Sequence, residues 1–430
     1  MSESLERRVV SKVSWRLLPY LFLLYLVAYI DRINTGVAGL QMRRDVPMDD
    51  EAWGFGVGLF FPGYFLFEVP SNLILARVGA RIWIARIMIF WGIVSACMML
   101  AKTVPLFYGM RFLLGAAEAG FFPGILFYLT KWFRERDRAR AVALFMTAGT
   151  LAGVLGNPLS GALLKLDGVA GLHGWQWIFL VEGIPAVLLG FSVLKFMAER
   201  PADAAWLEPE EQAWLEGELG KERALKAGGP QKSVVAALTE PKVLLLTLVY
   251  FLVVTSAYGF EMWLPVILKP LARGDDFLAA VYSAVPYVVA TVAMVLIGIA
   301  ADRTGQRRWT VALCAFLSAA GFFLSAKIAG PALGLAALSL AWIGIKSAQG
   351  PFWALSASTL SPAAAAAGLA FINSVANLGG QVGPWLVGRL QKQTHSFSTG
   401  LLASSVLLLA AGLIVPTIRA RPGRPGGSIT

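Results

Sequence analysis

RFLLGAAEAGFFP, residues 111–123, places an arginine and a glutamate in an otherwise apolar and glycine-rich run. At 3.6 residues per helical turn, Arg111, Gly115, Glu118 and Phe122 lie on one helical face. In a bilayer, each charge at mid-depth costs at least about 2.5 kcal/mol and must face a partner or a water-filled cavity. The segment therefore predicts a polar pathway beside a membrane-spanning helix, with a purely structural ion pair as the alternative.

The composition is that of a membrane protein. Hydrophobic residues make up 57% of the 430 residues and charged residues 15%, whereas a soluble chain carries about 25% charged residues. This excludes an ordinary soluble enzyme. Runs of about 20 apolar residues, long enough to cross the hydrocarbon core, recur along the whole chain. The twelve predicted spans are 17–40, 52–76, 82–101, 105–130, 139–164, 175–197, 243–269, 277–300, 309–328, 331–358, 363–388 and 397–418.

The positions of the basic residues explain the formal net charge of +11. Most of the 37 Lys and Arg fall in segments that share one side with the N-terminus, as cytoplasmic segments do under the positive-inside rule. We therefore predict cytoplasmic N- and C-termini, and the charge gives no support to nucleic-acid binding. No cleavable signal peptide is expected, because residues 1–16 are charged and no A-x-A site follows the first apolar run.

Residues that form disulfides or bind metals are scarce. Cys97 and Cys314 each lie inside a predicted span, and His173 and His395 fall in loops on the predicted outer side. Disulfides and zinc binding are therefore unsupported. An intramembrane enzyme would need a nucleophile with a base, and no predicted span contains a histidine. We expect neither an enzyme nor a cofactor.

A repeated loop divides the chain into two halves. ARVGARIW at 76–83 and DRTGQRRW at 302–309 share Arg, Gly, Arg and Trp at equal spacing. Each lies between the second and third spans of six, which indicates internal duplication. The predicted fold is an all-α membrane protein with twelve transmembrane helices in two six-helix bundles. Its parts are a cytoplasmic N-terminal segment 1–16, a first bundle 17–198, a cytoplasmic linker 199–242, a second bundle 243–418 and a cytoplasmic tail 419–430.

Two adjacent charges lie midway along the first span. Asp31 and Arg32 are about 100° apart around a helix, so they face different surroundings. Asp31 shares its face with Asn34, and Arg32 shares its face with Tyr25 and Tyr29. Because ionisable residues within a membrane are functional by default, we predict a transport role for both. An internal ion pair that holds two helices together is the alternative.

Prolines and further acids mark the first half. Pro70 is expected to kink or end the second span, and Pro123 to interrupt the fourth. Glu68, close to Pro70, is interpreted as a structural acid that pairs with a loop arginine.

The second half carries two unexpected charges, Glu261 in the seventh span and Lys346 in the tenth. They lie at similar depths, so either they pair with each other or Lys346 meets an anionic substrate. The following segment SAQGPFW, residues 347–353, is expected to break its helix at Gly350–Pro351 and to offer Gln349 to a ligand.

A polar stripe marks the eleventh span. Asn373, Asn377 and Gln381 follow at i, i+4 and i+8, a spacing suited to binding hydroxyl or carboxylate oxygens. Asn and Gln also link membrane helices to one another, which is the alternative.

Several motifs, in order, resemble those of a known family. YIDRIN, FEVPSN, RFLLGAAEAGFFPG and QGPFWAL, with the two loop repeats, are similar to the anion:cation symporter family of the major facilitator superfamily. Relatives include bacterial permeases for tartrate, phthalate, hydroxyphenylacetate and sugar acids. The resemblance implies two six-helix bundles that rock about a central site.

The resemblance also implies roles at matching positions. These are protonation sites at Asp31 and Glu118, anion contacts at Arg32 and Arg111, a substrate-facing tyrosine at Tyr64 and a second-half polar contact at Asn373 or Asn377. Our predicted substrate contacts also include Lys346 and Gln349. Lys346 and Glu261 lie outside the family motifs, and Ala76 stands where the superfamily pattern has aspartate.

The function expected from the residues and the resemblance is secondary active transport. We expect proton-coupled import of a small organic carboxylate, either tartrate-like, an aromatic acid or a sugar acid, by a monomer in a bacterial inner membrane. Protons would be the coupling ion. The alternative is a proton-antiport exporter of drugs or metabolites, which the GNPLSG pattern at 156–161 weakly favours.

Overall fold

The computed structural model describes residues 2–226, 240–328, 330–360 and 362–418, and these ranges contain helices but no strand. The linker beyond residue 226 and the predicted tail lie outside them, apart from residues 240–242. The helices of the first half are Ser2–Asp45, Asp50–Gly58 with Phe60–Val78, Ala80–Cys97, Val104–Glu118 with Phe121–Thr130, Glu135–Leu164 and Gly174–Phe196. They correspond in order to the first six predicted spans.

The second half follows a linker helix, Pro209–Lys226. Its helices are Pro241–Leu268, Asp276–Thr304, Arg307–Lys327, Pro331–Thr359, Pro362–Asn377 with Gly379–Thr394, and Phe397–Ile414. Within the described ranges, eleven segments are long and apolar enough to cross a membrane. The eleventh predicted span is present as two 16-residue helices. The chain is thus an all-α, multi-pass membrane protein with twelve transmembrane helices in two six-helix bundles, as predicted.

The helix break predicted at Gly350–Pro351 is wrong, and the second span does not end at Pro70. Pro70 and Pro351 lie inside continuous helices, because membrane helices tolerate proline when neighbouring groups satisfy the freed carbonyl. The fourth span does break, but before Pro123. Gly120 is left-handed there with φ +89, which favours glycine. Pro123 is the third residue of the next helix, where its missing N–H would have no partner anyway.

The polar stripe of the eleventh span is also interrupted. Leu378 separates its two helices, so Asn373 and Asn377 precede the break and Gln381 follows it. Gln381 donates to the carbonyl of Phe55 in the first half at 3.2 Å. This one member of the stripe therefore links the halves, in agreement with the packing alternative.

The two halves meet closely at the end opposite the linker helix, which we call the far end. A Cβ placed on Gly54 would lie 2.2 Å from the carbonyl oxygen of Pro384. Lys392 bridges the same surfaces, with its Nζ 3.0 Å from Asp49 and 3.1 Å from Glu51. The glycine here permits direct contact between backbones, and the lysine contributes an ion pair at its rim.

Glycines of the fifth span serve a second contact between the halves. A Cβ on Gly153 would lie 2.0 Å from the ring of Tyr287, and one on Gly161 would lie 2.6 Å from Ala280. The fifth span therefore packs against the eighth through small residues, which is the close-packing role that its glycine pattern indicates.

The linker helix docks on the first half, at what we call the linker end. Glu211 is buried and receives Lys12 at 2.7 Å and Arg8 at 3.1 Å. Between the two halves at this end, Ser374 donates to Glu68 at 2.7 Å. The predicted partner of Glu68, a loop arginine, is therefore wrong, because the side chain turns toward the second half.

A carboxylate also closes the loop between the second and third spans. Glu199 accepts the backbone N–H groups of Ala80 at 3.0 Å and Arg81 at 2.9 Å, and it pairs with Lys131. Burial raises the pKa of Glu199, but these donors outweigh it and leave the pKa below its ordinary value. The contact is therefore retained at neutral pH and lost only as the pH falls through that lowered pKa.

We predict that Gly54→Leu opens the far end. The added side chain meets backbone atoms of Pro384 that cannot turn aside, and overpacking of this kind costs about 1–3 kcal/mol. That cost shifts the balance between closed and open far ends by about fivefold to more than a hundredfold. Spin labels at Lys102 and Lys327, exposed on opposite halves, should show a longer distance in pulsed resonance measurements.

Gly109→Leu is the matched control, because a Cβ on Gly109 meets nothing within 4 Å. Both substitutions are made after Cys97 and Cys314 are replaced by serine. An unchanged distance distribution in Gly54→Leu would contradict the packing described for the far end.

Candidate functional site between the two halves

Arg32 projects from the first span into the space between the halves. Its side chain is 13% exposed and forms a salt bridge with Glu118. The guanidinium also donates to the Tyr258 hydroxyl of the second half at 3.5 Å. Nε of Arg32 has no hydrogen-bond partner in the described structure. The guanidinium therefore keeps a donor free while it touches both halves.

Aromatic rings surround this guanidinium. Its central carbon lies 5.1 Å from the centroid of Phe60, 5.6 Å from Tyr64 and 5.9 Å from Tyr29. These distances are in the range of cation–π attraction, which strengthens when water is excluded. Tyr64, predicted to face the substrate, makes no hydrogen bond within the described ranges, so its hydroxyl is available beside Arg32.

Glu118 ends the first helix of the fourth span, directly before the break at Gly120. Its side chain is 2% exposed. One carboxylate oxygen bonds to Arg32, and the other has no partner in the described structure. A buried carboxylate of this kind depends on one cation for its charge.

A second polar group lies on the same face of the first span. Lys346 is buried and its Nζ lies 3.4 Å from the Tyr29 hydroxyl. Glu261 accepts from Tyr29 at 3.4 and 3.5 Å and from Tyr287 at 2.6 Å. No direct Glu261–Lys346 salt bridge occurs within 4.0 Å. Of the two predicted alternatives, direct pairing is thus absent here, and a tyrosine hydroxyl connects the two charges.

Asp31 lies elsewhere, inside the first half. It is 1% exposed and accepts from Trp91 at 2.6 Å, from Asn34 at 3.3 Å and from Ser95. Three donors thus satisfy this carboxylate without a direct salt bridge. The structure places the predicted proton-coupling residue away from the space between the halves.

Arg111 is also enclosed in the first half. It is 0% exposed, with Nη2 2.9 Å and Nε 3.3 Å from the carbonyl of Val57 and Nη1 3.1 Å from Thr35. The helix that carries it packs so closely on the second span that a Cβ on Gly115 would lie 1.9 Å from the carbonyl of Phe60. In this conformation Arg111 is enclosed within the first half, and its predicted anion contact stays a prediction.

The remaining predicted contacts are half-buried in the second half. Gln349, Asn373 and Asn377 make no side-chain hydrogen bond within the described ranges, so their amides remain available to a ligand. No group of three or more His, Cys, Asp or Glu in these ranges is arranged to hold a metal. The arrangement can bind an anion and exchange protons, because it combines two cations, two carboxylates and tyrosine hydroxyls.

The sequence reasoning missed three site residues, Tyr258, Tyr287 and Phe60. Tyr29 was placed on the face of Arg32, but its position between Lys346 and Glu261 was not foreseen. The available signal was the occurrence of Tyr258 and Glu261 one turn apart in the seventh span. This spacing identifies a polar face of the seventh span, but it does not show which residues of the first half contact that face.

The sequence profile of the Major Facilitator Superfamily matches residues 21–384. The chain belongs to this superfamily. A putative tartrate transporter of Agrobacterium vitis is 46% identical over 98% of this chain and 94% of its own length. The resemblance to the superfamily and its bacterial tartrate permeases is therefore confirmed. The superfamily is a class of transporters, so this chain is a membrane transporter and not an enzyme.

Other members of the superfamily show its range. The quinolone resistance transporter of Acinetobacter baumannii is 42% identical over 96% of this chain and 95% of its own length. A solved bacterial homologue of the human lysosomal transporter Spinster has a TM-score of 0.77 at 18% identity, covering 95% of this chain and 98% of that one. The Escherichia coli xylose transporter XylE has a TM-score of 0.73 at 16% identity, covering 97% and 100%. These structures share the fold.

The positions of the two arginines predict different effects on stability. Arg111→Gln removes three bonds from a charged group in a closed site, and such bonds contribute about 1.5–3 kcal/mol each. We expect the apparent melting temperature in detergent to fall by about 5 °C or more. Arg32→Gln should lower it by about 2 °C or less, because Glu118 can take up a proton when its cation is removed.

Lys substitutions at both positions serve as charge-preserving controls. Arg111→Lys should still destabilise, since one ammonium cannot reproduce the fork between Val57 and Thr35. Equal losses for the two glutamine variants would contradict the distinction between an enclosed and an interfacial arginine.

Proposed function

We propose that this transporter imports a small organic carboxylate together with protons. The observation that carries the proposal is the Arg32–Glu118 salt bridge, which lies between the halves with one donor and one acceptor atom unused. The similarity to putative tartrate transporters supports a carboxylate as the substrate class. The predicted positive-inside pattern supports cytoplasmic termini and a bacterial inner membrane, with the monomer as the working unit.

The first step is competition for Arg32. A substrate carboxylate offers the guanidinium two oxygens in a bidentate geometry. The unused Nε of Arg32 and the hydroxyl of the neighbouring Tyr64 provide additional donors. Binding therefore takes Arg32 away from Glu118 without leaving the arginine unpaired.

The second step is protonation of Glu118. Once Arg32 has turned to the substrate, Glu118 is a buried carboxylate without a cation, which costs about 3–5 kcal/mol if it stays charged. That cost raises the proton affinity of Glu118 by a factor of a hundred or more relative to the paired state, since each 1.36 kcal/mol is a factor of ten in an equilibrium constant. Substrate binding and proton binding therefore support each other.

The third step is reorientation. With substrate and proton both bound, the central site has no unpaired charge, and the halves can close at the far end and separate at the linker end. With the substrate alone, an isolated Glu118 charge would have to remain buried during the change. This difference couples the two movements, because only the doubly loaded and the empty sites are neutral.

Asp31 and Arg111 receive other tasks in this proposal. Their hydrogen bonds to the third, second and first spans fix the position of the first span, and hence the direction of Arg32. The coupling role predicted for Asp31 and the anion contact predicted for Arg111 remain predictions that need a different conformation.

A second candidate function is proton-antiport export. The relative named as a quinolone resistance transporter favours it. Proteoliposomes distinguish the two directions. With acid outside, a symporter accumulates external L-tartrate, whereas an antiporter accumulates its substrate only when the acid is inside.

We predict that Glu118→Gln retains exchange and loses accumulation. A glutamine is neutral like the protonated acid, so the loaded site can reorient and counterflow of labelled D-glycerate, a monocarboxylate that needs only the Arg32 site, continues. A pH gradient no longer drives uptake, because the variant binds no proton at this position. Gradient-driven accumulation should fall to the level of exchange without a gradient.

Glu182→Gln is the matched control. Glu182 is a buried acid in the same half of the protein. It accepts a hydrogen bond from Ser160 at 2.7 Å and lies outside the Arg32 site. Its variant should keep both activities. Full accumulation in Glu118→Gln would refute the coupling scheme, and loss of counterflow in that variant would show that Glu118 does more than carry a proton.

A further inference from the structure

Lys346 is a buried cation that has no acidic partner within 4.0 Å in the described structure. Its Nζ lies 4.5 Å from the ring centroid of Trp342 and 3.4 Å from the Tyr29 hydroxyl. Aromatic faces and one hydroxyl cannot replace the hydration of an ammonium, so an anion that reaches this position is strongly favoured. Lys346 thus has the properties of a binding group that awaits a ligand.

Glu261 shows the complementary situation. It is 5% exposed, and its hydrogen-bond donors are the hydroxyls of Tyr287 and Tyr29. The titratable groups around it are Tyr29 of the first span, Tyr287 of the eighth, Lys346 of the tenth and Tyr258 on its own helix. Lys346 is the one cation among them, and it reaches Glu261 through the Tyr29 hydroxyl. If Lys346 turns to another anion, Glu261 loses its electrostatic support.

The two cations lie close enough together for one small diacid to contact both. The ring centroid of Tyr29 lies 5.9 Å from the guanidinium carbon of Arg32 and 5.4 Å from Nζ of Lys346. The cationic groups are therefore at most about 11 Å apart, because both distances share one point. A four-carbon diacid has three C–C bonds of about 1.5 Å between its carboxyl carbons. With a contact of about 2.8 Å at each end, it reaches both cations.

We propose that Lys346 binds the second carboxylate of a four-carbon dicarboxylate and that Glu261 then takes up a second proton. This inference rests on the proposed function, since Arg32 must bind the first carboxylate. Lys346 leaves the Tyr29 hydroxyl for the substrate, and a proton from the far end neutralises Glu261. Glu261 touches no substrate atom and acts through Lys346, so it is a positioning and coupling residue.

The charges balance in this scheme. The empty site holds Arg32 and Lys346 as cations and Glu118 and Glu261 as anions, with no net charge. The loaded site holds the same two cations with one dianion, while both glutamates are protonated. One dianion and two protons cross together, so transport of the dicarboxylate is electrically neutral. A monocarboxylate engages the Arg32 site alone and crosses with one proton.

The test measures proton stoichiometry in proteoliposomes of the full chain. The pH difference across the membrane is fixed, and the opposing substrate concentration gradient is varied until no net substrate flux occurs. For L-tartrate in the unsubstituted protein, a difference of one pH unit across the membrane should balance a hundredfold gradient of tartrate concentration, because two protons cross with each tartrate. For D-glycerate, a monocarboxylate, it should balance a tenfold gradient. A tenfold balance for both acids would overturn the inference without any variant.

Two variants then test the residues. In Glu261→Gln, one pH unit should balance only a tenfold tartrate gradient while the membrane potential is clamped at zero. In Lys346→Met, the KM for tartrate should rise tenfold or more with the KM for glycerate unchanged. The matched controls are Glu182→Gln and Lys327→Met, in which a buried acid outside the site and an exposed lysine are neutralised.

The failures are distinguishable. Absence of uptake of either acid in the unsubstituted protein refutes the proposed function itself. Uptake of both acids with an unchanged hundredfold balance in Glu261→Gln overturns only the second-proton role. Equal effects of Lys346→Met on both acids overturn the second-carboxylate role. An unchanged apparent melting temperature in detergent verifies the folding of each variant.

Discussion

The salt bridge between Arg32 and Glu118 is the interaction on which the centre of the molecule depends. Each partner is acceptable at this depth only because the other one, or a ligand that replaces it, compensates its charge. The same pair also joins two spans of the first half, and Tyr258 extends it to the second half. Any change in the partners of Arg32 or Glu118 therefore alters the contact between the halves, which is where a transporter must change shape.

The close contacts between the halves supply the other condition for such a change. Gly54 brings backbone against backbone, and Gly153 accommodates the ring of Tyr287. Glycine at these positions lets the halves approach closely, with large rings such as that of Tyr287 buried in the contact. Tyr287 is also a donor to Glu261. The packing of the fifth span on the eighth thus bears directly on one of the two central acids, and movement there is linked to its hydrogen bonding.

Much of the fold could be predicted from the sequence, since the length of the apolar runs and the repeated loop require twelve spans in two halves. Helical period also separated Asp31 from Arg32 and placed tyrosines beside the arginine. It could not separate Arg111 from Glu118, which share a face but differ by seven residues, or about 10 Å of depth. At the depth of Arg111 the second span closes over the helix, as the hydrogen bonds from Arg111 to the carbonyl of Val57 show. Which depth opens to the other half is a property of packing between helices, which one span does not contain.

The first span unites the two polar groups of the site. Tyr29 and Arg32 are three residues apart and lie on one face, so a shift of this helix moves both at once. Arg32 contacts Glu118 and Tyr258, while Tyr29 contacts Lys346 and Glu261. The fourth, seventh and tenth spans therefore meet at one helical turn of the first span. The eighth span joins them through Tyr287, which donates to Glu261. A ligand that binds both cations must pass this turn, and it replaces contacts to both halves in the same event. That geometry makes simultaneous recognition of two anionic groups and a concerted change of both acids consequences of one arrangement.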